Sequence, residues 1–181
     1  MSDQPLDSIE KQVGKSARNF DAPPLHLWDP ELSGDITIRI AADGSWFHEG
    51  GQIQRESLIR LFASILRREE DQQYYLVTPT EKWRIEVELH PLVVVDVEQQ
   101  LKDAESVLKL TLNTGKELLL GQEHSLFLES SLNNVAAVTL WHGLTALFNR
   151  AAWYRLVEMA EEVEGIPCVF SAGHQFPLVD L

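Results

Sequence analysis

The 181-residue chain sets 15 Lys and Arg against 28 Asp and Glu, a formal charge of -13, and 44% of it is hydrophobic. A buried core of domain size is therefore within reach, and affinity for nucleic acid through bulk charge is excluded, because that binding draws on cations that neutralise phosphates. No apolar run approaches the roughly 20 residues that cross a bilayer, and MSDQPLDSIE carries acids where a secretory leader is basic and then apolar. The default expectation is a cytoplasmic protein without membrane insertion. Cys168 is alone, so it forms no intrachain disulfide and no thiolate metal cage; within IPCVF it reads as a small buried hydrophobe. Residues 1–90 hold 10 of the 15 cations, which allows a local positive site inside an acidic chain.

Residues 1–22 are polar and read as a mobile or loosely docked N-terminal arm, with Leu6, Ile9 and Val13 on one face of a short helix. Pro23-Pro24 force an extended entry into a first domain, 23–90, with Trp28 as an anchor. DITIRI (35–40) alternates like a half-buried strand, Asp43-Gly44 turns it, and 45–48 returns with Trp46 and His48 on one face and Phe47 on the other. Gly50-Gly51 end that strand. An amphipathic helix is expected over 54–68, carrying Leu58, Leu61, Phe62, Ile65 and Leu66 as its stripe and Arg67 and Arg68 in its last turn. Strands at 74–78 and 83–89 follow, separated by Pro79.

His90-Pro91 mark the boundary to a second domain, 91–181. Short apolar runs at 92–97, 106–112, 117–120, 125–129 and 135–141, punctuated by turn residues, predict an antiparallel meander or small barrel. One covering helix is expected over 143–163 and a last strand over 166–170. Both halves share an outline of strand, Gly turn, amphipathic helix with a Leu-Phe pair (Leu61-Phe62; Leu147-Phe148) and strand.

The candidate chemistry gathers at the corners of the first helix. Arg55 stands in its first turn, where free N–H groups already favour an anion, beside Gly50-Gly51. Thr78, Glu81 and Lys82 place a hydroxyl, a carboxylate and an amine on the 78–82 loop, a set that can hold a polar ligand or simply make a solvated turn. Trp46 and Phe47 can stack on a flat ring or fill core. The six histidines include no HExxH or other metal spacing, and GxSxG, the P-loop and GxGxxG are absent.

PPL-LW, the run DGSWFHEGGQIQR, the helix LIRLFASILRRE, YYLVTP with Glu81-Lys82, and GLTALFNRAAWYRLV together resemble the bacterial domain-of-unknown-function 1285 family over about residues 23–180. The resemblance implies an α+β fold of two small α+β parts with duplicated motifs, the second an antiparallel pleckstrin-homology-like barrel capped by one helix. It also implies a small anionic or nucleotide-like ligand at the interface of the two parts, a signalling role and no established enzyme activity. The residues that carry over are Trp46, Phe47, Arg55, Thr78, Glu81, Lys82, Arg150 and Tyr154; Trp141-His142 depart from the family pattern where an Arg-bearing segment is expected.

The leading expectation is thus a non-enzymatic ligand binder with no cofactor and no metal. A protein-protein interaction module, binding a peptide or a second copy, is the alternative. A third reading is an enzyme pairing His48 with Glu49 or Glu81 as acid and base.

Overall fold

The computed structural model describes residues 4–16 and 22–180. It divides into two compact units: the first takes the chain to Leu89 together with His142–Leu144, the second takes His90–Trp141 and the chain from Thr145 onward. The short return of 142–144 to the first unit is invisible to a linear boundary. Gly143 carries it, because its φ of +70° and the Arg68 carbonyl 2.9 Å from where a Cβ would stand suit only glycine.

In the first unit, α1 (Gln4–Ser16) precedes a short 3-10 turn at Leu25–Leu27 and a six-stranded sheet. Its strands are β1 (Leu32–Ile40), β2 (Trp46–His48), β3 (Gly51–Gln52), β4 (Leu66–Arg68), β5 (Tyr74–Val77) and β6 (Lys82–Val87), with α2 (Glu56–Ser64) between β3 and β4. The sheet order is β3-β2-β1-β6-β5-β4. All neighbours are antiparallel except β1 and β6, which run parallel at the centre. Ile36, Ile38 and Ile40 are buried, as the alternation of DITIRI requires.

Two expectations change here. The helix stops at Ser64, whose hydroxyl turns back onto the Leu61 carbonyl at 2.6 Å, a local bond that competes with the helical ladder. Leu66–Arg68 then pair with β5, so Arg67 and Arg68 are strand residues and do not sit in a helical last turn. The arm expected to be mobile or loosely docked is a docked helix over residues 4–16, and of the expected helical face Ile9 and Val13 are fully buried and Leu6 half-buried; residues 1–3 and 17–21 of that arm lie outside the described part. Leu25, not the exposed Leu27, anchors the entry segment, and Trp28 is only half-buried.

The second unit repeats the sheet. Its strands are β7 (Leu92–Lys102), β8 (Glu105–Leu112), β9 (Glu117–Leu119), β10 (Leu126–Glu129), β11 (Val135–Thr139) and β12 (Thr145–Phe148), in the order β10-β11-β12-β7-β8-β9. Read from the other edge this is third, second, first, sixth, fifth, fourth, the order of the first unit, and again only the first and last strands pair in parallel. The sheet is open and mixed. That corrects the expected antiparallel barrel: the edge strands β9 and β10 do not pair with each other, so the sheet stays open, and its central β7–β12 pair is parallel.

The expected helix over 143–163 resolves into three elements. His142 and Gly143 adopt left-handed backbone, Thr145–Phe148 form β12, α3 spans Arg150–Glu158, and β13 (Glu161–Val163) follows. Asn149 starts α3 by accepting a hydrogen bond from the Ala152 N–H at 2.8 Å. β13, β14 (Ile166–Ser171) and β15 (His174–Pro177) make a three-stranded antiparallel sheet. Buried Ser171 ties it to the larger sheet: its hydroxyl accepts from the Leu108 N–H at 2.8 Å and donates to the Leu120 carbonyl at 2.6 Å.

Candidate functional site

The corners of α2 gather the predicted residues of the first unit around partners from its own chain. Arg55 is the residue from which α2 starts and supplies no side-chain cap; its guanidinium donates instead to Glu10 of α1 at 2.7 Å, with both side chains about half exposed (56% and 45%). On the other side, Pro79 breaks the ladder between β5 and β6, and the loop closes on Thr78, whose buried hydroxyl accepts from the Glu81 N–H at 3.0 Å. That hydroxyl and the one of Thr80 both donate to the Gln12 side-chain oxygen, at 2.8 and 2.7 Å. The Gln12 amide and the Ser8 hydroxyl donate to the Glu81 carboxylate at 2.9 and 3.1 Å. One face of α1 thus reads the 78–81 loop and the start of α2.

Lys82 turns away from Glu81. Its ammonium pairs with Glu69 at 3.1 Å and lies 5.0 Å from the centre of the Tyr75 ring. Arg67 reaches the same carboxylate at 2.6 Å and donates to the backbone carbonyls of Leu25 and Trp28, tying the entry segment to β4. Burial pushes the Glu69 carboxyl up, but hydrogen bonds from Arg67 and Lys82, and their charges, outweigh it and hold it below its ordinary value. Next to it the Tyr75 hydroxyl donates to Asp71; that bond lowers the Asp71 carboxyl and raises the Tyr75 phenol. Glu69, Ser8, Glu10 and Gln12 were not singled out in the sequence, although an acid directly after two arginines in LRREED is a readable signal for an internal ion pair.

The aromatics divide. Trp46 is fully buried with its ring 6.1 Å from that of Phe62, so its face is core and not a platform open to a ligand. Phe47 is half-buried under the Arg39 guanidinium, 4.5 Å from the ring centre, and Arg39 is itself paired with Glu88. In the second unit, Arg150 and Tyr154 stand one turn apart on α3, exposed, with the guanidinium 3.3 Å from the phenol oxygen. Among the described residues no hydrogen bond or ion pair joins His48 to Glu49 or Glu81, and both Glu81 oxygens are engaged by Ser8, one of them also by Gln12.

A polar cluster of the second unit also escaped the sequence. Buried His90 has its Nδ1 2.7 Å from the Thr145 hydroxyl and its Nε2 3.2 Å from Glu129. The Ser131 hydroxyl, more than the His90 charge, holds the Glu129 carboxyl low. Among the described residues no group of three His, Cys, Asp or Glu side chains is placed to hold a metal, and no helix is long and apolar enough to cross a membrane.

Two mixed sheets of one strand order, joined in a single chain and accompanied among the described residues by three α-helices, define an α+β protein of duplicated build. The chain belongs to the DUF1285 family: profiles for the N-terminal and C-terminal domains of this family of unknown function match residues 23–89 and 91–178. It is similar to the crystal structure of a DUF1285 family protein from Silicibacter pomeroyi, at 36% identity over 98% of this chain and 95% of that one, with a TM-score of 0.84. A DUF1285 family protein from Shewanella baltica is similar at 29% identity over 68% of this chain and 91% of that one, with a TM-score of 0.56. Comparison with curated proteins returns no match.

Proposed function

We propose that this protein is a non-enzymatic binder of a small anionic, nucleotide-like ligand, and that it signals occupancy by loosening α1. The observation that carries this reading is the Glu10 carboxylate on Arg55: a side chain of α1 occupies the guanidinium that stands beside the uncapped start of α2. Phosphate presents more charge and more acceptor atoms than a carboxylate and suits both a guanidinium and free first-turn N–H groups. An ion pair this exposed contributes about 1 kcal/mol or less, so a dianion can displace Glu10 at little cost. What then holds α1 is the burial of Ile9 and Val13, worth roughly 1.5–3 kcal/mol each, and the bonds of Ser8 and Gln12. Loss of the Glu10 pair therefore shifts the docking of α1 by a factor of about five or less without undoing it.

Lys82 and Arg67 have a different part in this reading: with Glu69 as their shared counter-ion they brace the floor of the sheet and leave Arg55 as the exchangeable cation. A thermal-shift panel of nucleoside mono-, di- and triphosphates with inorganic phosphate tests the proposal. Stabilisation of the native chain by a phosphate compound and its loss in Arg55→Ala is the expected result. Equal stabilisation of both proteins moves the anion elsewhere and removes the reading.

A further inference from the structure

The second unit carries a groove unrelated to Arg55. Its cavity of about 220 Å³ is lined by Gln99, Ser106 and Leu108 of the β7–β8 hairpin, by Met159 at the end of α3, and by Glu161 and Phe170 of the small sheet, over the buried Val169. Cofactor-sized pockets begin at roughly 300 Å³, so this one suits a single side chain. About half of its lining is polar, from Gln99, Ser106 and Glu161, and its apolar part reaches the surface at Phe170, which is 39% exposed. Met159 adds an unbranched thioether that adapts to the shape of what enters.

Acid predominates beside the groove, where Glu161 stands in the lining. The run VEMAEEVE (157–164) holds four acids and no cation, and Glu158, Glu161, Glu162 and Glu164 are all exposed and free of ion pairs among the described residues. Of the cations on the surrounding elements, Lys109 sits between Glu98 and Glu117 and Arg155 is paired with Asp96, while Lys102 at the end of β7 carries no ion pair among the described residues. The exposed edge of β13, which pairs only with β14, runs through the middle of this acidic stretch.

We propose that this groove is a docking site for a basic peptide segment of another protein, one that sets a single large apolar side chain in the cavity and places Lys or Arg residues against the acids from Glu158 to Glu164. Apolar anchor and charge divide the work: the anchor fixes position and slows release, while the acidic rim speeds encounter and rejects acidic partners. An occupant without an anchor would respond to the field alone.

The test uses the full chain and a fluorescein-labelled pentapeptide with one leucine between two lysine pairs, against the same peptide with serine at its centre. Fluorescence anisotropy is expected to show saturable binding of the leucine peptide, weakened about tenfold or more by the serine substitution and by the Glu161→Lys, Glu162→Lys double variant. Phe170→Ser is expected to weaken the leucine peptide alone. All substituted residues are exposed, and circular dichroism of each variant checks that it remains folded. Equal affinity for the two peptides, or affinity unaffected by the double variant, overturns the proposal, as does the absence of saturable binding.

Discussion

The two sheets share a strand order but differ in where the chain spends its helix. In the first unit α2 interrupts the sheet between its third and fourth strands; in the second, β9 leads to β10 without a helix, and α3 comes only after the sixth strand. The parallel pairing of first and last strands survives in both. The order of a mixed sheet is therefore set by two three-stranded meanders meeting along one parallel seam, and the helix is a cover that either connection can supply. The covers also differ chemically. In the first unit α2 starts beside a guanidinium that holds a carboxylate, and in the second α3 ends in an acidic run without paired cations.

If the helices are equivalent covers, truncating the core residue of each should cost alike, and this is the largest effect expected. Phe62 and Leu156 are both fully buried, so Phe62→Ala should destabilise by roughly 3–5 kcal/mol and Leu156→Ala by roughly 2–5 kcal/mol in urea unfolding. A cost below about 1 kcal/mol for either would break the equivalence. The next effect is particular to the second unit. Ser171→Ala strands a buried N–H of Leu108 and the carbonyl of Leu120, so it should lose about 1–3 kcal/mol, and Ser171→Thr should recover part of it if the bonds and not the volume decide. The smallest belongs to the first unit. Glu69 is held below its ordinary value of 4.5, so its contribution is complete above that pH and is lost as pH falls through the lower folded value. Glu69→Gln should therefore flatten the acid limb of stability below about pH 4.5 by about 1 kcal/mol or less, and an unchanged acid limb would show that Arg67 and Lys82 do not hold that carboxylate.

How much of this was legible depends on sequence distance. β1, β2, β5 and β6 follow from period-two alternation and from turn residues a few positions away. β12 does not: TALF lies inside a run with helical spacing, and only its parallel pairing with β7, more than fifty residues earlier in the chain, makes it a strand. The site divides in the same way. Arg55, Thr78, Glu81 and Lys82 could be named from local context, but the partners that decide their roles are remote. Glu10 is 45 residues from Arg55, and Gln12 is 66 and 69 residues from Thr78 and Glu81. Trp46 carried no mark to separate a stacking surface from core, since a strand places an indole identically in either case; the Phe62 beneath it, a helix away, settles it.

The central claim is that α1 is held where an anion would bind. Amide hydrogen exchange across Gln4–Ser16, followed in the native chain and in Arg55→Ala as the stabilising phosphate compound is titrated, tests it most directly. The account predicts that the compound speeds exchange in α1 of the native chain by up to about fivefold, the limit for an ion pair worth about 1 kcal/mol or less, and that Arg55→Ala exchanges at the raised rate from the start and does not respond. Protection of α1 that stays constant at saturating anion, or rises, would contradict it.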